Sequence, residues 1–163
     1  MADVFISYKK ERKAYAKRLA AVIEAYGFDV WWDYSLLVDA GDYDAQIEQS
    51  LISAKVAIVL WCSGARASSF VKDEARRALA AKKLMPVLIE RGVEPPLGFG
   101  MQEMAILVEW TGDPTAPGVT KLIDGIERVA GRKRMMRPNM IDMLRESAPL
   151  PPVEPMIVTE VTD

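Results

Sequence analysis

The residues best suited to chemistry in this chain follow its most apolar segment. The run Val56–Cys62 leads into the serine-rich stretch 63–69, and Phe70 and Glu74 come directly afterwards. A short β-branched run that ends in small polar residues predicts a buried strand followed by a loop and a helix start. Phe70 and Glu74 would then lie one helical turn apart, beside the strand end where open α/β sheets bind ligands.

Each of these two residues also has an ordinary structural explanation. A glutamate in the first turn of a helix can simply complement the helix dipole, and a phenylalanine can belong to the core. The pair together, placed after a strand and a serine loop, favours a functional site over either residue alone.

Composition excludes several kinds of enzyme. The 163-residue chain contains no histidine, so Ser-His-Asp and Cys-His catalysis, histidine general bases and histidine-bound zinc are excluded within it. Catalysis must therefore depend mainly on carboxylates. The net charge of -2 and the pI of about 5.3 argue against general electrostatic binding to nucleic acid or to an anionic membrane.

Hydrophobic spacing predicts strands that alternate with helices. Strands are expected at residues 3–8, 28–33, 56–62, 84–89 and 104–108. Pro86 suggests an edge or an irregular start for the fourth strand. The alternation favours a three-layer α/β fold, with a five-stranded parallel sheet in the flavodoxin-like order 2-1-3-4-5.

That strand order brings three loops to one edge of the sheet. Its switch point lies beside the first and third strands, so residues 7–10 should meet residues 63–74 in one crevice. The loop from Tyr34 to Gly41 joins them there. Its three consecutive apolar residues, 36–38, could fold back on the core or form a surface for a partner.

The chain changes character after Gly131. Residues 132–163 begin with Arg132-Lys133-Arg134 and contain five of the ten prolines. This composition predicts one domain over residues 1–131 and a Pro/Met-rich linker or disordered tail over 132–163, with a short helix at 141–146.

The fingerprints of several other α/β proteins are missing. The chain has neither G-x-G-x-x-G after the first strand nor a G-x-x-x-x-G-K-[ST] phosphate loop. A phosphate-accepting receiver domain needs acidic residues at the ends of the first and third strands. Those places hold Ser7-Tyr8 and Trp61-Cys62 instead.

Three motifs together resemble the TIR (Toll/interleukin-1 receptor/resistance protein) domains over residues 1 to about 131. Asp3–Tyr8 is similar to the first box of the family, and Ser63 through Glu74 is similar to its S…S-x-W-V/C-x-x-E pattern. The BB loop of the family is resembled by Asp33 with Leu36 or Leu37, Gly41 and Ile47.

The resemblance implies two functions. One is homotypic assembly through the BB loop, and the other is cleavage of NAD+ into nicotinamide and ADP-ribose or a cyclic isomer. Glu74 matches the glutamate that the enzymatic members require, while Phe70 stands where they usually carry tryptophan.

Cleavage by a single carboxylate is chemically reasonable. Ordinary glycosides need a second acid to protonate the leaving oxygen, but nicotinamide is cationic in NAD+ and leaves as a neutral molecule. Positive charge develops on the ribose, where a nearby carboxylate stabilises the transition state. We therefore expect Glu74 to be catalytic, NAD+ to be the substrate, and no cofactor or metal to be required. The expected substrate-binding residues are Phe5, Ser7, Tyr8, Lys9, Lys10, Trp32, Asp33, Leu36, Ser63 and Phe70, and the expected self-association residues are Tyr34, Leu36, Leu37, Val38, Asp39 and Gly41.

Two other functional classes stay open. A non-enzymatic TIR adaptor would dock other TIR surfaces through the BB loop and keep Glu74 only as scaffold. A nucleoside deoxyribosyltransferase shares the sheet and a catalytic glutamate, but it would transfer sugar between nucleosides without consuming NAD+. Release of nicotinamide distinguishes the enzyme first described from both.

The sequence also predicts a location and partners. A single cysteine, Cys62, fits a reducing cytoplasm, and neither a signal peptide nor an apolar run of membrane-spanning length is present. The resemblance implies a microbial immune or antiviral defence effector that assembles into a homo-oligomer or filament. A sensor module, fused C-terminally or separate, is a further partner that it implies.

Overall fold

The five strands form one parallel sheet in the predicted order. The computed structural model describes residues 2–34, 43–94 and 104–151, without the side chains of residues 43 and 44. The strands are β1 (Val4–Ser7), β2 (Val30–Trp31), β3 (Val56–Trp61), β4 (Leu84–Leu88) and β5 (Ala105–Ile106). Their order is β2-β1-β3-β4-β5, and every pair is parallel. The α/β fold class is therefore confirmed, although each strand is shorter than the spacing suggested.

Helices pack around this sheet. They are α1 (Lys13–Ala25), α2 (Tyr43–Ser53), α3 (Ser63–Ala67), α4 (Ser69–Ala80), α5 (Pro117–Ala130) and α6 (Pro138–Glu146), with a 3-10 helix over Lys10–Arg12 before α1. All residues of β1 and β3 are buried, as expected of central parallel strands covered on both faces. Gly27 follows the Tyr26 C-cap of α1, and its φ of 93° is the left-handed conformation that glycine adopts without strain.

Pro86 does not mark an edge strand, because β4 lies between β3 and β5. The β4–β5 pairing begins only at Val87, so Pro86 pairs on one side, with Val59 of β3. A residue that pairs on one side alone does not require the hydrogen-bond donor that proline lacks.

Residues 132–151 pack against the rest of the fold instead of forming a linker. Arg132 donates to the Asp3 carboxylate and to the Gly27 carbonyl, both at 2.7 Å, and its guanidinium lies 4.4 Å from the Phe28 ring centroid. The predicted short helix is present, begins earlier at Pro138, and buries Ile141. These contacts, which composition does not encode, correct the interpretation of 132–151 as a linker or disordered tail.

Two sequence predictions lie outside the described residues. They are most of the proposed BB loop (Leu36, Leu37, Val38, Asp39 and Gly41) and the chain after residue 151. Over the residues that are described, no helix combines the length and the hydrophobicity that crossing a bilayer requires.

Candidate functional site

The segment after β3 turns a sharp corner that places α4 against the sheet. Residues 63–67 form the short helix α3 instead of the predicted loop, and the Cys62 thiol accepts a hydrogen bond from the Ala65 amide at its start. Ser68 then caps α4, its hydroxyl accepting from the Val71 amide at 3.2 Å. The apolar stripe of α4 is buried against the sheet, and Glu74 is carried inward with it.

Glu74 is a buried carboxylate at the carboxyl end of β1. Only 5% of its surface is exposed. Its Oε1 accepts a short hydrogen bond from the Ser7 hydroxyl and lies 3.5 Å from the Tyr34 hydroxyl. Its Oε2 is buried as well and has no hydrogen-bond partner among the described residues. One carboxylate oxygen is therefore held in place, while the other is unpaired among the described residues.

Glu74 binds its proton more tightly than a carboxyl group exposed to water does. Burial raises the pKa of Glu74 from 4.5 to about 7, although the hydrogen bonds from Ser7 and Tyr34 oppose this by favouring the ionised form. Asp73 adds a smaller effect in the same direction as burial. The carboxyl group is thus poised to change protonation near neutral pH, which is common for groups that act in catalysis.

A cluster of aromatic rings supports the carboxylate. The Tyr34 ring stacks on Tyr8 with centroids 5.1 Å apart and meets Phe70 edge-on at 6.2 Å. Burial, together with the nearby Glu74 carboxylate, raises the pKa of Tyr34, so its hydroxyl keeps the proton that it donates. Tyr34, predicted only as a self-association residue, is therefore part of the site around Glu74.

A cleft of about 220 Å³ opens beside Glu74 between α2 and α4. Its lining residues are Ile47, Glu48, Leu51, Phe70, Asp73, Glu74 and Arg77. Phe70 is 43% exposed, so its ring offers an open aromatic face or edge to the cleft. Arg77 is paired with both Glu48 and Asp73, and Glu74 is a third carboxyl group in the lining, so the acidic groups of the cleft outnumber its one guanidinium.

The remaining predicted site residues fall into two groups. Ser7 donates to Glu74, and Tyr8 stacks on Tyr34, whose hydroxyl lies 3.5 Å from Glu74. The prediction that Phe5 binds substrate is corrected. Phe5 is 0% exposed and its ring stacks on Trp31, so it belongs to the core. The physical reason is that every residue of the central strand β1 is buried, and Phe5 lies two residues before the carboxyl end of that strand.

The other predicted residues lie around the same edge of the sheet. Trp32 is half-buried against the core, and the Asp33 carboxylate pairs with Lys13 at 3.6 Å. Lys10 is exposed, and Lys9 is half-buried against α3. Ser63 does not face Glu74 but bonds to a second buried carboxylate, Glu90, which sequence reasoning missed. Leu36 lies outside the described residues.

No metal site is formed by the cysteine, aspartate and glutamate side chains of residues 2–34, 43–94 and 104–151. The cleft is lined by an aromatic ring beside acidic side chains. This lining suits a positively charged aromatic ligand better than an anion.

Comparisons with known proteins agree with this architecture. The profile of a family described as "TIR domain" matches residues 4–123. No curated protein matches the chain. The TIR domain of the Toll-related receptor TRR-2 from Hydra magnipapillata is 15% identical with a TM-score of 0.59, covering 65% of this chain and 84% of that one. A TIR-STING receptor from C. gigas, solved with 2',3'-cGAMP, is 17% identical with a TM-score of 0.61, covering 77% of this chain and 39% of the receptor.

The two solved structures show the shared fold alone, because their identities are low. The family profile covers well over half of the residues, including β1, the Ser63–Glu74 segment and the first half of α5. The chain therefore belongs to the TIR domain family.

Proposed function

We propose that this chain is an NAD+ glycohydrolase that cleaves the bond between nicotinamide and ribose, with Glu74 as its catalytic residue. TIR domains include both NADases and signalling adaptors, so family membership alone leaves the choice open. The observation that carries the proposal is the Glu74 carboxylate, which is buried, has one oxygen fixed by Ser7, and has the other without a partner among the described residues.

The free oxygen of Glu74 acts on the ribose. As the glycosidic bond breaks, positive charge develops on the sugar ring, and a carboxylate beside it stabilises the transition state strongly in a site that excludes water. Only the ionised form supplies this charge. With a pKa of about 7, Glu74 supplies it in a large fraction of molecules at neutral pH.

The nicotinamide ring lies in the acidic cleft next to Phe70. A cationic pyridinium is attracted to an aromatic face and to the acidic groups of the cleft, which outnumber its one arginine, Arg77. The ring becomes neutral as it leaves, so this attraction weakens and the product dissociates. Lys9 and Lys10, at the start of the 3-10 helix that follows β1, contribute positive charge toward the diphosphate.

A neighbouring copy of the chain completes the site. The cleft of about 220 Å³ is smaller than typical ligand pockets, which are roughly 300–1,000 Å³, so a dinucleotide needs further walls. Homotypic assembly, which family membership suggests, supplies them and makes activity depend on protein concentration. In this proposal the assembled cytoplasmic protein depletes NAD+ as a defence effector.

The test is nicotinamide release from NAD+ at high protein concentration and with a crowding agent, with product masses recorded. The parent should release nicotinamide with ADP-ribose or a cyclic isomer, and Glu74→Gln should not. Glu146→Gln, which removes the same charge from an exposed position on α6, is the matched control and should behave as the parent. An adaptor predicts no release by any variant, and a deoxyribosyltransferase predicts sugar transfer without NAD+ loss.

A further inference from the structure

A second buried carboxylate lies at the same edge of the sheet as Glu74. Glu90 lies two residues after the end of β4 and is only 2% exposed. Its Oε1 accepts hydrogen bonds from the Ser63 amide and the Ser63 hydroxyl, both at 3.2 Å. The Arg12 guanidinium lies 3.6 Å from the same oxygen. Glu90 therefore joins three separate segments of the chain at one atom.

Two of these segments lie next in sequence to residues of the proposed substrate site. Arg12 ends the 3-10 helix that carries Lys10, and it also forms the junction with α1. Ser63 begins α3, which leads directly into Phe70 and α4. The two segments also touch, since a Cβ added to Gly64 would lie 3.0 Å from the Lys9 side chain. Holding Arg12 and Ser63 together thus sets the position of the lysines relative to α4.

Charge explains why this role falls to Glu90. A buried carboxylate is unfavourable unless hydrogen bonds and a cation compensate it, so Glu90 keeps its partners close. Among the described residues Arg12 has no other ion pair, and its Nε is buried without a hydrogen-bond partner. The position of this guanidinium therefore depends on Glu90.

We propose that Glu90 is a positioning residue for the diphosphate side of the substrate site, where it fixes the Lys9–Arg12 loop against α3. This rests on the proposed function. Glu90 does not touch the reacting atoms, which lie at Glu74. Its loss should therefore weaken substrate binding while leaving the chemical step largely intact.

The experiment compares Glu90→Gln with Arg91→Gln. Glutamine keeps an oxygen for Ser63 but loses the charge that holds Arg12. Arg91 is the matched control, because it is the next residue and pairs with Glu109 at the exposed surface. Steady-state kinetics with NAD+ and amide hydrogen exchange of residues 9–13 are measured for both variants, and Glu90→Asp, which restores the charge, is added as a rescue.

Glu90→Gln should raise KM for NAD+ about tenfold, the effect of losing one charge-assisted interaction, with kcat changed less than about twofold. Exchange at residues 9–13 should accelerate, and Glu90→Asp should recover part of both effects. Arg91→Gln should match the parent. An unchanged KM, or a loss of kcat alone, would overturn the inference.

Failure of the proposed function is distinguishable from failure of this inference. If the parent releases no nicotinamide, the proposed function fails. The exchange data then decide whether Glu90 fixes residues 9–12 against α3. Faster exchange in Glu90→Gln than in Arg91→Gln supports it, and equal exchange in the two variants overturns it.

Discussion

Replacing Glu74 with glutamine should stabilise the folded chain at neutral and alkaline pH. Burial raises the pKa of Glu74 from 4.5 to about 7, so between these values the folded chain retains a proton that the unfolded chain has released. The stabilisation that the protonated Glu74 gives the parent chain is fully present below the unfolded pKa and is lost as pH rises through the folded pKa. The variant does not suffer this loss. At about 1.4 kcal/mol per tenfold change in proton affinity, the total is about 3 kcal/mol.

Glutamine isolates this contribution because it has nearly the same shape and does not titrate. Its carbonyl oxygen still accepts the hydrogen bond from Ser7. Chemical denaturation of parent and Glu74→Gln at pH 4 and pH 8 measures the difference between their free energies of unfolding. That difference should grow by about 3 kcal/mol in favour of the variant, equivalent to a relative shift in Tm of about 6–12 °C.

Other titrating groups cancel in this comparison. Hydrogen bonds with Arg134 lower the pKa of Glu127, and partners including Arg132 lower that of Asp3, so both act in the opposite direction, but equally in parent and variant. Glu146→Gln, an exposed control, should change stability by less than about 0.5 kcal/mol at either pH. A difference between parent and Glu74→Gln that does not vary with pH would refute the proposed desolvation of Glu74.

Three further predictions follow from the contacts at the site and its support. Tyr34→Phe removes a hydroxyl that donates to Glu74, so the pKa of Glu74 should rise further. The pH–rate profile should then shift to higher pH than that of the parent, and an unshifted profile would contradict this hydrogen bond. Phe70→Ala should raise KM for NAD+ about tenfold and Phe70→Trp should lower it, because stacking on a cationic ring scales with the aromatic surface; steady-state kinetics measures both, and equal KM values would contradict a stacking role. Arg132→Met should destabilise the fold by about 1–3 kcal/mol in urea denaturation at pH 7. That loss should shrink in acid, where the Asp3 carboxylate is protonated, and a loss independent of pH would argue against the ion pair.

The fold could be predicted because its signals are local. The buried apolar run of β3, the Ser68 cap and the stop at Gly27 each depend on a few neighbouring residues. Handedness rules for parallel crossovers then restrict the strand order. The same rules predict that Ser7 and Glu74 meet, although 67 residues separate them.

The parts that could not be predicted depend on contacts between distant segments. Arg132 reaches Asp3 across 129 residues, and nothing in a basic, proline-rich sequence indicates that it docks. The role of Glu90 could not be predicted for the same reason, because its contacts with Ser63 and Arg12 form only when β4, α3 and the 3-10 helix come together. Phe5 was misassigned because a motif position does not reveal how deep in the sheet a side chain lies: Phe5 shares a face with Ser7 but lies two residues before it, inside the strand.

The most direct test of the central claim is the rate of nicotinamide release from NAD+ by the concentrated parent protein at pH 8, measured beside Glu74→Gln. At this pH Glu74 is mostly ionised, so the parent should be near its maximal rate. Removing the charge that stabilises the transition state should slow release by about 100-fold or more, while denaturation shows the variant to be at least as stable. Cleavage by Glu74→Gln at the parental rate would contradict the account.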